Sequence, residues 1–374
     1  RSPGRYTLTR AMRILYTQSS AVARGCRWDV MICRTRFTQL VVAKLAKPSG
    51  NLRTFGSGAG PLAGRRSYDN QKVRAMISLK WRALRADGRS IRAVPHGPTL
   101  WLSSALAVVA AVSAALTFFL PNALSGSAVT TGNARGTALV MMVAGVPLLV
   151  VSMLGAIRGS WRFHVVWLGM VSYLTYNAFM LLFGTPLNSL FLLYVATFSL
   201  GLFSLGTLVH ATDPRAVSDQ LVDLPRRGLA IYTWTIVGLN TLVWLRGIIP
   251  TIGAAEPAAA LDGLGLTTNP LWVQDLAFWL PMAAIAAAWL WLRRPWGYVL
   301  VGAWLVYGLI ESVGVAVDQL FGYAADPTTE YATPAGAVVF GILALVNLIP
   351  LYFYFRRRAQ SFLVVDLKVD DGYW

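Results

Sequence analysis

Eight long apolar stretches follow one another through residues 99–355, and they restrict the fold of this 374-residue chain more than any other feature. They lie roughly at 99–120, 136–157, 162–183, 187–209, 228–250, 271–292, 296–319 and 335–355. About 20 mostly apolar residues are needed to carry a helix across the hydrocarbon core of a bilayer. Inside lipid the backbone must satisfy its own hydrogen bonds, so a stretch of this kind is expected as a helix. A β-barrel needs shorter, alternating segments, and these do not alternate. The expected fold is all-α: a polytopic integral membrane protein of eight transmembrane helices. Charged residues make up only 13% of the chain, which argues against a soluble globular protein.

Arginine placement orients the spans. With the N-terminal side cytoplasmic, the connections on that side carry Arg158, Arg162, Arg215, Arg226, Arg227, Arg293, Arg294, Arg356, Arg357, Arg358 and Lys368. The opposite side receives only Arg135 and Arg246. Positive residues stay on the cytoplasmic face, so both ends of the spanning region are expected there. Trp101, Trp161 and Trp296 open spans at the inner face and Trp272 opens one at the outer face, as interfacial aromatics do. The outer loops carry Glu256, Asp262, Asp326 and Glu330, read as ordinary loop solubility.

Residues 1–98 differ sharply. They hold 20 of the 33 Lys and Arg but 3 of the 16 Asp and Glu, while residues 99–374 balance. This quarter reads as a basic segment, disordered or mis-assigned at its start, because high charge and few apolar residues do not offset the entropy lost on folding. The chain opens on Arg1; a start at Met76 would leave Lys80, Arg82, Arg85, Arg89 and Arg92 as a basic leader that anchors the inner side. Nucleic acid is not favoured as a partner, since no recognition pattern accompanies the charge. Cys26 and Cys33 match no zinc spacing and are read as unpaired thiols. The three expected regions are 1–98, the eight-helix domain 99–355 and a cytoplasmic tail 356–374.

Small residues suggest how the spans pack, because lipid gives helices little hydrophobic reason to associate. Ser103, Ala107, Ala111 and Ala115 form one ridge, Ala283 with Ala287 and Ala284 with Ala288 form others, and Ala337 with Gly341 offers a close approach. Pro281 predicts a kink in the sixth span. The inside turns at Arg158–Trp161 and Arg294–Trp296 each lead into an aromatic span, with Trp167 and Tyr173 in one and Trp304 and Tyr307 in the other. Two parallel four-span units would give that pattern; so would chance likeness between aromatic-rich spans.

Ionisable residues within spans are costly and mark candidate sites. Arg246 and Asp275 lie at matching depth on the fifth and sixth spans, where an ion pair would neutralise both. Glu311 and Asp318 stand two turns apart on one face of the seventh span, with Glu311 the deepest acid and Asp318 near the water interface. Asn240 and Asn347 add amides near that level. Together they outline a polar pocket in the outer half of spans five to eight. Tyr173, Tyr176 and Asn177 on the third span read as hydrogen-bonded packing, and His164 and His210 as caps at inner helix ends.

No zinc-protease, nucleotide-loop or dinucleotide motif is present, and Gly201–Ser204 resembles an intramembrane serine nucleophile only loosely. Catalysis is therefore not favoured, and no cofactor or metal is expected. The function expected is binding or transport of a small solute or ion at Glu311, Asp275, Arg246, Asp318 and Asn240. The alternative is a membrane sensor or assembly subunit that docks a partner through small-residue helix faces. Expected partners are membrane lipid, a small polar or cationic solute, and a second copy or another membrane protein. The expected setting is the inner (plasma) membrane of a bacterial cell.

Overall fold

A computed structural model describes residues 97–256, 261 and 263–356. The readings for residues 1–96 and for the tail from 357 onward lie outside the described residues. Eight helices long and apolar enough to cross a membrane are present among the described residues, and no strand is. They are α1 (Gly97–Phe119), α2 (Ala128–Ile157), α3 (Trp161–Phe183), α4 (Phe191–Ala211), α5 (Arg226–Ile248), α6 (Pro270–Trp291), α7 (Pro295–Ala325) and α8 (Pro334–Phe355). A short helix, Pro214–Ser218, lies between α4 and α5.

Helix ends follow local chemistry. Ser127 Oγ accepts from Thr130 N and opens α2 eight residues before the apolar run begins. Asn269 Oδ1 accepts from Leu271 N at α6, and Thr333 Oγ1 from Gly336 N at α8. Proline follows at the first helical position of α6, α7 and α8, where its missing N–H costs nothing.

Two helices are interrupted by wider turns. Residues Met141–Gly145 of α2 and Asp275–Trp279 of α6 are π-helical. Each is followed by a proline, Pro147 or Pro281, whose missing N–H falls next to the turn where the hydrogen-bond ladder is already shifted. The kink expected from Pro281 thus takes the form of a π-turn, and Pro147 has the same setting.

The most enclosed helix is α3, while α5 and α8 are the least covered. Trp167, Tyr173 and Met170 of α3 are fully buried, and Trp167 Nε1 donates to Ser103 Oγ of α1 at 3.2 Å. Of the ridge anticipated on α1, Ser103 and Ala107 are buried while Ala111 and Ala115 are half-buried; the fully covered small residues farther along are Ala110 and Ala114, so the buried face is turned by about one residue from the one anticipated. Gly132 and Gly136, four apart on α2, press against the α7 backbone at Phe321 and Asp318. The close approach anticipated at Gly341 does not occur, since a Cβ there meets nothing within 4 Å. Outward-facing positions such as Val108, Leu192, Phe203, Leu242 and Leu345 are large, apolar and exposed, a surface suited to lipid.

Candidate functional site

The acids of the spans gather between α2, α3, α6 and α7, with one tryptophan from α5. Asp275 opens the π-turn of α6 and is buried. Both of its oxygens are engaged: Tyr176 Oη donates to Oδ1 at 3.1 Å and Trp244 Nε1 to Oδ2 at 2.9 Å. The anticipated ion pair with Arg246 is not formed, and Arg246 is exposed on α5. Two residues along a helix is a rotation of about 200°, so turning Trp244 toward α6 turns Arg246 away.

Glu311 is half-buried near the middle of α7. Its Oε2 accepts from Asn177 Nδ2 at 2.8 Å, and the same amide donates to the Tyr173 carbonyl at 3.1 Å. Asp318 lies on the same face of α7. Thr137 Oγ1 of α2 donates to its Oδ2 at 3.0 Å. Its Oδ1 is covered and has no hydrogen-bond partner among the described residues. Asp318 was expected near the water interface; instead α7 runs on to Ala325, and the glycine face of α2 closes over the carboxylate.

Tyr173 completes the cluster. It is fully buried, and its hydroxyl has no partner among the described residues. That hydroxyl lies 3.7 Å from the Cβ position of Gly314, which falls between Glu311 and Asp318 on their shared face. Tyr173 therefore points an unused hydroxyl at the strip of α7 that carries the two acids. An aromatic wall borders this strip: Trp279 stacks on Tyr307 with ring centroids 5.3 Å apart, and Tyr176 meets Tyr307 edge-on at 5.4 Å.

Other anticipated residues stand apart. Asn240 is half-buried on α5, and among the described residues no hydrogen bond joins it to the acids. Asn347 is buried and accepts from Tyr232 Oη at 3.1 Å, tying α8 to α5. His164 lies in the first turn of α3, an amide end rather than a carbonyl end, so it does not cap; its Nε2 shares a hydrogen bond of 2.8 Å with Thr212 Oγ1. Ser204 is buried, and among the described residues its hydroxyl has no partner and no base within hydrogen-bond reach.

Thr137 and Trp244 carry no site assignment in the sequence analysis, and Tyr173 and Asn177 read there as packing. Of these, Thr137 carried a usable signal: it adjoins Gly136, where two helices had to come close.

Among the described residues no arginine or lysine side chain is placed against Asp275, Glu311 or Asp318. Enclosing an anion without a counter-charge costs several kcal/mol, so such groups take up a proton or a cation. Apart from the Asn177 amide nitrogen that donates to Glu311, the polar atoms of the cluster are carboxylate and hydroxyl oxygens, which suit protons and alkali or alkaline-earth ions rather than soft metals. No group of three or more His, Cys, Asp or Glu able to hold a metal ion occurs among the described residues. Compared with protein-family models, curated proteins and solved structures, the chain matches none.

Proposed function

We propose that this is a multi-pass protein of a bacterial plasma membrane that binds a small cation, the proton included, at Glu311 and Asp318 and couples that binding to transport. One observation carries the reading. In helices long and apolar enough to cross a bilayer, the Asp318 Oδ1 and Tyr173 Oη atoms are both buried without partners among the described residues, at the strip of α7 that carries Glu311 one to two turns away. Membrane helices hold ionisable groups at a cost, and those groups commonly mark ion and proton paths. Asp275, whose two oxygens are held by Tyr176 and Trp244, is a positioned carboxyl group that shapes the surroundings of Glu311.

The arginine-marked ends of α2, α4 and α6 face the cytoplasm in this reading, by the positive-inside rule. Of the α1 ridge offered by the sensor alternative as a docking face, Ser103 and Ala107 are covered inside the bundle and Ala111 and Ala115 remain half-exposed.

The test is reconstitution into liposomes loaded with the pH dye pyranine. A proton or sodium gradient is imposed and internal pH followed. The parent should move protons, and Glu311→Gln should abolish the movement while still inserting at parent levels. Parent-like flux in Glu311→Gln, or no cation-dependent signal in the parent, overturns the proposal.

A further inference from the structure

We infer that the helix pairs α2–α3 and α6–α7 are two copies of one unit, and that the cation position lies on the axis relating them, with Asn177 and Glu311 as the same position in the two copies. Asn177 and Glu311 are 134 residues apart, and that one offset aligns the second and third helices of each half without a gap.

The correspondence begins at the π-turns, Met141–Gly145 and Asp275–Trp279, and continues through Pro147 and Pro281. The helices then end alike. Arg158 has φ −76° and ψ 8°, and Leu292 has φ −78° and ψ 7°. The next residues, Gly159 and Arg293, are both left-handed, with φ of 82° and 58°. The following pair, Ser160 and Arg294, are both extended. The closing hydrogen bonds also coincide. Gly159 N donates to Ala156 O and Ser160 N to Gly155 O; Arg293 N donates to Leu290 O and Arg294 N to Trp289 O. This is one helix-ending motif, used twice at the same register.

Packing matches as well. A Cβ on Gly145, the last residue of the first π-turn, would meet the Tyr173 ring; Trp279, the last residue of the second, stacks on Tyr307. Phe163 fills the space beside Gly155, and Gly297 sits against the backbone at Trp289 and Leu290, so the same two positions are in contact in both copies. A left-handed arginine at the place of Gly159 has a ready explanation if the turn was inherited rather than selected locally, because non-glycine residues adopt that conformation at a cost.

A two-fold axis carries each residue onto its counterpart, so a residue that touches its own counterpart lies on the axis. Two such pairs occur. Asn177 Nδ2 donates to Glu311 Oε2 at 2.8 Å, and a Cβ on Gly169 would lie 2.9 Å from the carbonyl oxygen of Ala303. They are eight residues apart on α3, so the axis follows the α3–α7 seam. Both copies make their turn at the arginine-marked end, so the repeats are parallel, and binding sites of repeat-built transporters lie where repeats meet. The copies have diverged in charge: Met141, Asn177 and Gly184 of the first fall on Asp275, Glu311 and Asp318 of the second. The identification of a cation as the ligand rests on the function proposed above; the repeat relation does not.

Relocating the carboxylate across the axis tests this. Asn177→Glu alone sets two acids face to face; Glu311→Asn alone removes the acid; the double variant moves it to the other copy. Thermal unfolding in detergent is compared for all three, and pyranine flux in liposomes for the parent, Glu311→Asn and the double. Asp275, Asp318, Tyr173, Tyr176 and Tyr307 face the position and stay constant. The double variant should recover most of the stability lost in Asn177→Glu, a coupling of the kind double-mutant cycles detect. It should also regain flux to within about threefold of the parent where Glu311→Asn loses about tenfold or more. A control, Asn347→Glu with Glu311→Asn, places the acid off the axis and should rescue neither. A double variant as unstable as Asn177→Glu overturns the repeat inference even if the parent transports. A silent parent with a rescued double variant overturns the proposed function and leaves the repeat standing. Equal rescue by the Asn347 control overturns the axial placement.

Discussion

Replacing Gly136 by alanine should separate α2 from α7 and loosen the hold on Asp318. A Cβ at this position would lie 2.8 Å from Asp318 Cα, 3.0 Å from Asp318 N and 2.9 Å from Asp318 Oδ1. Two of these atoms are backbone, so no side-chain rotation relieves the overlap. Ordinary carbon–carbon contact needs about 3.5–4.0 Å, so α7 must retreat by roughly 0.7–1 Å. Overpacking of this degree costs about 1–3 kcal/mol. The same retreat lengthens the 3.0 Å bond from Thr137 Oγ1 to Asp318 Oδ2 past the range where a hydrogen bond holds. Losing the one donor that Asp318 has among the described residues costs about another 1–3 kcal/mol. The two losses share one displacement and do not simply add, so about 2–4 kcal/mol is expected. Unfolding of detergent-solubilised protein, followed by tryptophan fluorescence, reads this directly. Gly206→Ala on α4 is the control, because nothing lies within 4 Å of its Cβ position. There the better helix propensity of alanine should leave stability equal or raised by up to about 1 kcal/mol. If Gly136→Ala matches Gly206→Ala, the glycine contact of α2 with α7 does not have the geometry described.

Two further outcomes follow from local structure. Arg293 occupies the left-handed place that Gly159 fills in the other tight turn, so Arg293→Gly should stabilise by a few tenths to about 1 kcal/mol and Gly159→Ala should destabilise by about 1 kcal/mol; thermal unfolding in detergent checks the opposite signs. Trp244→Phe and Tyr176→Phe each strip one donor from buried Asp275 and should each cost about 1–3 kcal/mol; denaturant titration of the two single variants and the double should show a loss that departs from additivity, and additive losses would mean the donors do not share one carboxylate.

The spans were legible in the sequence almost to the residue. Seven of the eight begin within four residues of the helix observed, since the need for about 20 apolar residues and for internal backbone hydrogen bonds acts on each segment alone. The exception is α2, whose polar opening at Ala128–Arg135 carries no apolar signal and is held instead by the Ser127 cap and by contact with α7. The end of α7 was also placed early, for Tyr323 and Gly322 follow a polar Asp318–Gln319 pair that resembles a helix exit. In the candidate site, Glu311, Asp318 and Asp275 were identifiable as rare ionisable groups in apolar surroundings, while Arg246 shared that signal, Asn240 was an amide near the same level, and neither takes part in the cluster.

Apolar length is a local property, so the sequence by itself determined the number of helices and most of their ends, and singled out Glu311 and Asp275 as acids within them. Azimuth and neighbour are not local. In water the buried face of a helix is marked by its apolar residues, but against lipid the buried and exposed faces are equally apolar, and no periodicity says which way Glu311 or Arg246 points. Only the tertiary structure decided that Thr137 and Asn177 of the first half, rather than Arg246 of the second, meet the acids of α7. The reason is steric: close glycine contacts at Gly136 and Gly169 bring α2 and α3 against α7 and set which polar groups fall within reach.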